Sequence, residues 1–228
     1  MHHLGGVTDP QSEDLFMHIC PLCSSNQTLF YFADEKRSYF QCSHCELVFV
    51  PAEQRLDAAS EKAHYDHHEN DPDDQGYRRF LSRLALPLLD RIAADSEGLD
   101  FGCGPGPALA SMLREAGHTV ALYDIYYQPD PDVLDARYDF VTATEVIEHL
   151  FEPKKIWSQW LNLLKPGGWI GIMTKQVKDL EGFACWHYKY DPTHVIFFSR
   201  ATFRFLATRD KLELEFIGND VILLRKPQ

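Results

Sequence analysis

Leu99-Asp100-Phe101-Gly102-Cys103-Gly104-Pro105-Gly106 is the stretch on which the reading of this chain turns. A short apolar run carries an acid, three glycines follow at alternate positions, and a helical pattern begins at Ala108. Glycines so placed let backbone approach a ligand where any Cβ would collide. From Ala108 to Ala116 apolar residues recur at helical spacing, and Gly117 stands where a helix end takes its left-handed residue. A second strand pattern, His118 to Tyr123, ends in Asp124. That acid lies about 20 residues past the first glycine, where a nucleoside-binding unit places a carboxylate on ribose hydroxyls.

The spacing is G-x-G-x-G, not the G-x-G-x-x-G of dinucleotide sites, whose helix N-terminus faces a pyrophosphate. Asp100, just before the first glycine, would repel a pyrophosphate and suits an ammonium group. The methionine part of S-adenosylmethionine carries such an ammonium, and that molecule has no phosphate. The segment resembles motif I of the class I S-adenosylmethionine-dependent methyltransferases. Tyr138 to Leu150 resembles the fourth-strand motif of the same family, and Leu163 to Ile172 resembles its "LKPGG" turn into the fifth strand. In physical terms, Pro166-Gly167-Gly168 is a turn ending a helix over Lys154 to Leu164, and Trp169 to Met173 is a buried-strand run.

The resemblance implies an α/β fold, a Rossmann-like methyltransferase sheet. It further implies that Asp100, Gly102, Gly104 and Gly106 hold the methionine and ribose side of S-adenosylmethionine, Asp124 the ribose hydroxyls, and Ile125 and Glu145 the adenine region. One departure stands out. Only 13 residues separate Asp124 from Tyr138, where the family fits a helix, a third strand and another helix. Pro129 and Pro131 make this connection a loop with at most a stub of strand, and the acid that contacts the adenine amino group has no assigned counterpart; Asp132 and Asp135 stand nearby.

Cys20-Pro21-Leu22-Cys23 and Cys42-Ser43-His44-Cys45 are two C-x-x-C pairs 18 residues apart, inside the spacing of zinc sites. Four thiolates close a tetrahedral shell with no open position, so Cys20, Cys23, Cys42 and Cys45 read as ligands of a structural zinc. Two disulfides are the alternative, disfavoured in a chain without an export signal. Thr28 to Phe32 and Ser38 to Gln41 read as strands joined by the polar turn Asp34-Glu35-Lys36-Arg37. So short a unit has little core, and the metal would supply much of its folding energy. His44 is a spectator beside a filled shell.

The chain thus divides into a tail and zinc ribbon over 1–51, an acidic, histidine-rich linker or lid over 52–76, and an S-adenosylmethionine-binding domain over 77–228. Residues before about 18 are polar and expected to fray. Tyr77, Phe80, Leu81, Leu84, Leu88 and Ile92 trace one helix face, with a kink or interruption expected at Pro87. Lys211 to Ile217 and Asp220 to Arg225 read as closing strands joined at Gly218-Asn219. Tyr65, His67 and His68 offer a lid over the cofactor, against the plainer reading of a solvated linker.

The net charge of −12 argues against non-specific nucleic-acid or anionic-membrane binding. Lys36-Arg37 and Arg78-Arg79 are the small basic candidates before the glycine turn. No run of 18 apolar residues and no signal-peptide pattern is present, so a cytoplasmic protein is expected.

Methyl transfer needs proximity, alignment and a dry site, and an oxygen nucleophile gains from a base. Ligands of open α/β sheets sit beyond the carboxyl ends of the strands. The 19-residue segment Lys175 to Thr193 is long enough to suggest function. His194-Val195-Ile196-Phe197-Phe198-Ser199 then enters a helix capped by Ser199, and resembles the "H-x-x-F-(S/T)" segment of small-molecule and quinol methyltransferases. There the histidine borders the acceptor pocket. His194 is therefore the candidate base, with a loop-bracing hydrogen bond as the alternative. A bracing role is likewise read for His149. Trp186, Tyr188 and Tyr190 are either a substrate wall or loop packing. The histidines show no metal-triad pattern, so no catalytic metal is expected. A small-molecule acceptor and O-methylation are favoured; ribosomal RNA methylation and a non-catalytic interaction protein on the same fold are the alternatives.

Overall fold

The computed structural model describes residues 18–66 and 71–228. The tail expected to fray, up to residue 17, and His67 and His68 lie outside the described residues. The strands are β1 (Thr28–Ala33), β2 (Ser38–Cys42), β3 (Val48–Phe49), β4 (Glu97–Phe101), β5 (Thr119–Tyr123), β6 (Tyr138–Thr144), β7 (Leu164–Met173), β8 (Ile196–Phe197), β9 (Glu213–Ile217) and β10 (Val221–Arg225). The helices are α1 (Ala58–Tyr65), α2 (Gln75–Leu89), α3 (Ala108–Glu115), α4 (Pro153–Leu163), α5 (Leu180–Ala184) and α6 (Arg200–Asp210).

Apolar residues on both faces of the strands build the central sheet, ordered β5-β4-β6-β7-β10-β9. Strands β4 to β7 pair in parallel, and β10 runs antiparallel to β7 and β9. On β10, Val221 and Leu223 join the core beneath α2 and α3, while Ile222 and Leu224 join the core beneath α4 and α6. A sheet covered on both faces is the α/β arrangement the resemblance implied. Between Asp124 and Tyr138 the chain forms only a 3-10 turn, Pro131–Leu134, so β5 is an edge and the third strand is missing, as expected.

Two local readings shift. Helix α2 continues through Pro87 to Leu89 and is not interrupted there. The Pro166-Gly167-Gly168 turn is a bulge inside β7: Tyr138 pairs with Leu164 and Phe140 with Trp169, and Gly167 takes φ +76°. Ser199 caps α6 through a reciprocal capping box with Thr202, and Gly218, at φ +61°, turns β9 into β10.

The cysteine unit does not close its own sheet. Its order is β1-β2-β3-β8, with Val48 opposite Phe197 and Phe49 opposite Ile196. The fourth strand therefore comes from the segment directly after His194. Leu22, Tyr39, Leu47 and Phe49 share one apolar core with Trp157, Ile172, Phe203 and Ile222 of the central sheet and its helices.

Candidate functional site

The glycine turn leaves β4 with Gly102 at φ +72° and Gly104 at φ +63°. A Cβ on Gly102 would stand 2.4 Å from Val146 Cγ2, so sterics as well as dihedral demand glycine there. Gly104 N–H donates to Asp124 Oδ2 at 3.0 Å, and the amides of Tyr126 and Tyr127 donate to Asp124 Oδ1 at 2.8 and 3.0 Å. One carboxylate thus ties the ends of β4 and β5 together and caps the turn that follows.

Beyond the carboxyl ends of these strands lies a cavity of about 670 Å³. Gly102, Gly104, Asp124, Ile125 and Glu145 line it together with His149, Asp191 and His194. Asp100 and Gly106 do not line it. Asp100 is 3 % exposed, accepts a bond from Thr142 Oγ1 at 2.8 Å, and is pushed up to about 6 by burial. Gly106 is buried, and its carbonyl accepts from Ala108 N–H at 2.8 Å at the start of α3. Glu145 adopts φ +52° after β6, held by its amide donating to the Met173 carbonyl at 2.8 Å. Burial raises its carboxyl above the ordinary range.

The described lining carries Glu61, Asp124, Glu145, Glu152 and Asp191 but no lysine or arginine. Such a wall attracts a cation and repels a phosphate. Helix α1 roofs the space: Tyr126 Oη donates to Glu61 Oε2 at 2.6 Å, Tyr127 Oη to Asp66 Oδ1 at 2.8 Å, and Tyr65 meets His149 edge-on at 5.3 Å. The solvated-linker reading of this segment is corrected, because Glu61 and Tyr65 line the cavity and Glu61 is buried.

At the opposite end, His194 is 7 % exposed, and its Nδ1 lies 2.7 Å from the Tyr188 carbonyl. Burial lowers its imidazole below the ordinary value, with Asp191 opposing. His149 Nδ1 lies 3.2 Å from the Thr193 carbonyl. Both histidines have the bracing bond and also line the cavity. Trp186, Tyr188 and Tyr190 do not line it. Trp186 packs on Phe183 and Phe197, Tyr188 stacks on Trp186 at 5.0 Å, and Tyr190 is exposed beneath Lys189.

Sequence reasoning passed over Glu148. It is 1 % exposed, accepts from Thr174 Oγ1 at 3.1 Å and from Tyr188 Oη, and is pushed up to about 8 by burial and then by Glu145. Its signal was an acid three residues after Glu145 and next to His149, at the 3-10 turn Ile147–His149 that follows β6. Arg37 was read only as part of a basic pair. Its guanidinium instead donates to the carbonyls of Lys189, Asp191, Pro192 and His194.

The four cysteines converge. Cys20 Sγ is 3.5 Å from Cys45 Sγ, Cys23 Sγ is 3.5 Å from Cys42 Sγ, and all four sulfurs lie within 4.8 Å of one another. No disulfide joins them. The two turns match: the amides of Ser24 and Glu46 donate to the carbonyls of Cys20 and Cys42, and Ser24 and Glu46 take φ +63° and +59°. Hydrogen bonding with Cys45 draws the Cys20 thiol down to about 5, while burial pushes Cys23 up to about 12. Four thiols this close cannot all ionise without a cation among them, and the donor set fits zinc.

A family model described as "Methyltransferase domain" matches residues 65–214. The chain belongs to this methyltransferase family. Its curated relatives include proteins named ubiquinone biosynthesis O-methyltransferase. The one from Pectobacterium atrosepticum is 32 % identical over 86 residues, covering 38 % of this chain and 36 % of the relative. The one from Leptothrix cholodnii is 27 % identical over 121 residues, covering 41 % and 52 %. The chain thus spans about half or less of these relatives' length. Among solved structures, the 1,6-didemethyltoxoflavin-N1-methyltransferase of Burkholderia thailandensis, with bound 1,6-didemethyltoxoflavin and S-adenosylhomocysteine, superposes at TM-score 0.50 and 18 % identity, covering 87 % of this chain and 99 % of that one. An S-adenosylmethionine-dependent methyltransferase of Archaeoglobus fulgidus superposes at 0.51 and 16 % identity, covering 65 % and 94 %. These likenesses show the methyltransferase fold, in line with the resemblance read from the glycine turn.

Proposed function

We propose that this methyltransferase-family chain moves the methyl group of S-adenosylmethionine to an oxygen of a small-molecule acceptor. One observation carries the reading: an acid-lined cavity, with no lysine or arginine among its described lining residues, joins the glycine turn to His149 and His194. When bound, S-adenosylmethionine presents an electrophilic methyl on a sulfonium. Gly102 and Gly104 let backbone approach it, and Asp124 takes the ribose hydroxyls with lone pairs not used by the three amides. Ile125 and Glu145 flank the adenine. Asp100 and Gly106 support the methionine side from below, Asp100 as buried negative charge.

His194 stands at the acceptor end. Burial keeps its imidazole neutral near pH 7, so a lone pair is available to an acceptor hydroxyl. Phe101, Leu150 and Ile156 in the lining, with the α1 roof, keep water out. The relatives' printed names pair this family with O-methylation, which supports an oxygen acceptor. A small acceptor is further supported by one arginine of each basic pair: Arg37 is spent on carbonyls and Arg78 is paired with Glu115. Cys20, Cys23, Cys42 and Cys45 hold a structural zinc in this reading, making residues 18–51 a ribbon docked on the catalytic domain. No described helix is long and apolar enough to cross a membrane.

Transfer from methyl-labelled cofactor tests the acceptor class. Label should enter low-molecular-weight phenolic hydroxyl compounds and not RNA. Label recovered in RNA, with none in small acceptors, would replace this reading with the nucleic-acid one.

A further inference from the structure

We propose that Glu148 works as a neutral carboxylic acid and, in that form, positions His194 as a neutral base. The inference rests on the methyl-transfer reading and adds a positioning residue to it.

Glu148 grips the His194 segment from both sides. Its carboxyl meets Tyr188 Oη, and its backbone carbonyl accepts from the Val195 amide at 2.9 Å. Tyr188 in turn offers its carbonyl to His194 Nδ1 at 2.7 Å, and the two rings lie 4.1 Å apart at 49°. A carbonyl only accepts, so the hydrogen sits on Nδ1 and the His194 lone pair on Nε2. The residues on either side of His194, 188 and 195, are thus tied to one residue of the turn Ile147–His149.

A count of hydrogens makes Glu148 neutral. Tyr188 Oη is within hydrogen-bond reach of Glu148 Oε1 and 3.2 Å from Glu145 Oε2, and it has a single hydrogen. Thr174 Oγ1 spends its own hydrogen on Glu148 Oε2 at 3.1 Å. If both carboxyls were ionised, one of them would face the phenol oxygen with no hydrogen between. A third hydrogen, on Glu148 Oε1, completes the chain: Glu148 then donates to Tyr188, and Tyr188 donates to Glu145. Glu148 is the partner that holds it, because it is 1 % exposed, whereas Glu145 lines the cavity and feels the charges of Lys175 and Arg83. Burial, and then Glu145, push the Glu148 carboxyl up to about 8.

This neutrality matters to His194. Glu148 and His194 offer atoms within 4.8 Å of each other. An ionised carboxylate at that range would favour the imidazolium, which has no lone pair. Of the other charges facing the ring, Asp191 raises the imidazole, while Arg37 and Lys175 lower it. Asp191 is shared with His64 at 3.4 Å, and the His149 ring lies 4.6 Å from that of His194. With Glu148 neutral, burial outweighs Asp191 and the ring keeps its lone pair.

Nuclear magnetic resonance titration of the His194 ring in the full-length protein reads this proton, with His194→Asn assigning the signals. Glu148→Gln replaces a neutral acid by a neutral amide that can still donate to Tyr188 and accept from Thr174. The His194 pKa in this variant should lie within about 0.3 of the wild-type value. Infrared spectra at pH 7 should show a protonated-carboxyl band in wild type that Glu148→Gln lacks. Glu148→Leu should lower turnover at least roughly tenfold, and Glu148→Gln should recover most of that loss. S-adenosylmethionine affinity should stay within about threefold in both variants and so report an intact fold. A His194 pKa lower by about 1 or more in Glu148→Gln, or no such band, means that Glu148 is ionised and overturns the proposal. Wild-type turnover in Glu148→Leu overturns it as well, and either result leaves the methyltransferase reading standing. Wild type that transfers no methyl group, with the titration and the band as expected, upholds the neutral acid beside His194 and removes that reading.

Discussion

The Arg37 guanidinium, on the hairpin of the four-cysteine unit, donates to the backbone carbonyl of His194 at 2.9 Å. The same side chain reaches the carbonyls of Asp191 at 3.0 Å and Pro192 at 3.1 Å, and that of Lys189. Its own amide donates to Asp34 Oδ1 at 2.9 Å, and its guanidinium lies over the Tyr39 ring. A residue far from the glycine turn in sequence therefore fixes the backbone that aims His194. Together with the β3–β8 pairing, this gives the cysteine unit a mechanical role: it frames the loop that carries His194.

Arg37→Lys follows from that role. Lysine keeps the charge but not the planar fork, and cannot satisfy several carbonyls at once. Turnover should fall roughly tenfold to a hundredfold, the scale on which small misplacements of reacting groups act. S-adenosylmethionine affinity by calorimetry should change less than about threefold, because Arg37 does not line the cavity. Equal losses in turnover and cofactor affinity would show general unfolding and remove the framing role.

The cysteine quartet should behave as a structural metal site. Elemental analysis should find zinc with the purified chain, and Cys20→Ser or Cys45→Ser should lose it. Because Leu22, Leu47 and Phe49 share the core of the central sheet, the loss should extend to the His194 loop. Hydrogen exchange should rise across 20–50 and 186–198 together. Exchange confined to 20–50, with normal turnover, would separate the two regions.

Asp100 gives a pH signature. Its folded value of about 6 lies above the ordinary carboxylate value, with burial as the first cause. Between roughly pH 4 and 6 the folded chain keeps this proton while the unfolded chain releases it, so this contribution to stability falls as pH rises through that window and is level above it. Asp100→Asn keeps an acceptor for Thr142 and removes the titration. Urea unfolding without cofactor should find the variant more stable than wild type by up to about 3 kcal/mol at pH 7, converging near pH 4. A difference independent of pH would place the cost elsewhere.

Local chemistry made much of this legible in advance. Gly102 and Gly104 announce positive φ, Asp124 follows its strand at nucleoside spacing, and each C-x-x-C pair needs only one turn to converge. The missing third strand was visible as a connection too short to hold one. What the sequence hid is non-local. The pairing of Val48 with Phe197, the Glu61–Tyr126 bond and the Arg37 fork join residues that no window contains together. Glu148 stayed hidden for another reason. An acid after a strand reads as solvated unless its burial beneath Tyr188 and Thr174 is seen.

Direct calorimetry of S-adenosylmethionine binding, on wild type and Asp124→Ala, tests the central claim most closely. The account predicts one cofactor per chain in wild type, displaced by S-adenosylhomocysteine. Affinity in Asp124→Ala should be weaker by about 1.5 to 3 kcal/mol, the range for hydrogen bonds to a charged group. Wild-type protein that takes up NADH and shows no heat with S-adenosylmethionine would contradict the account at its base.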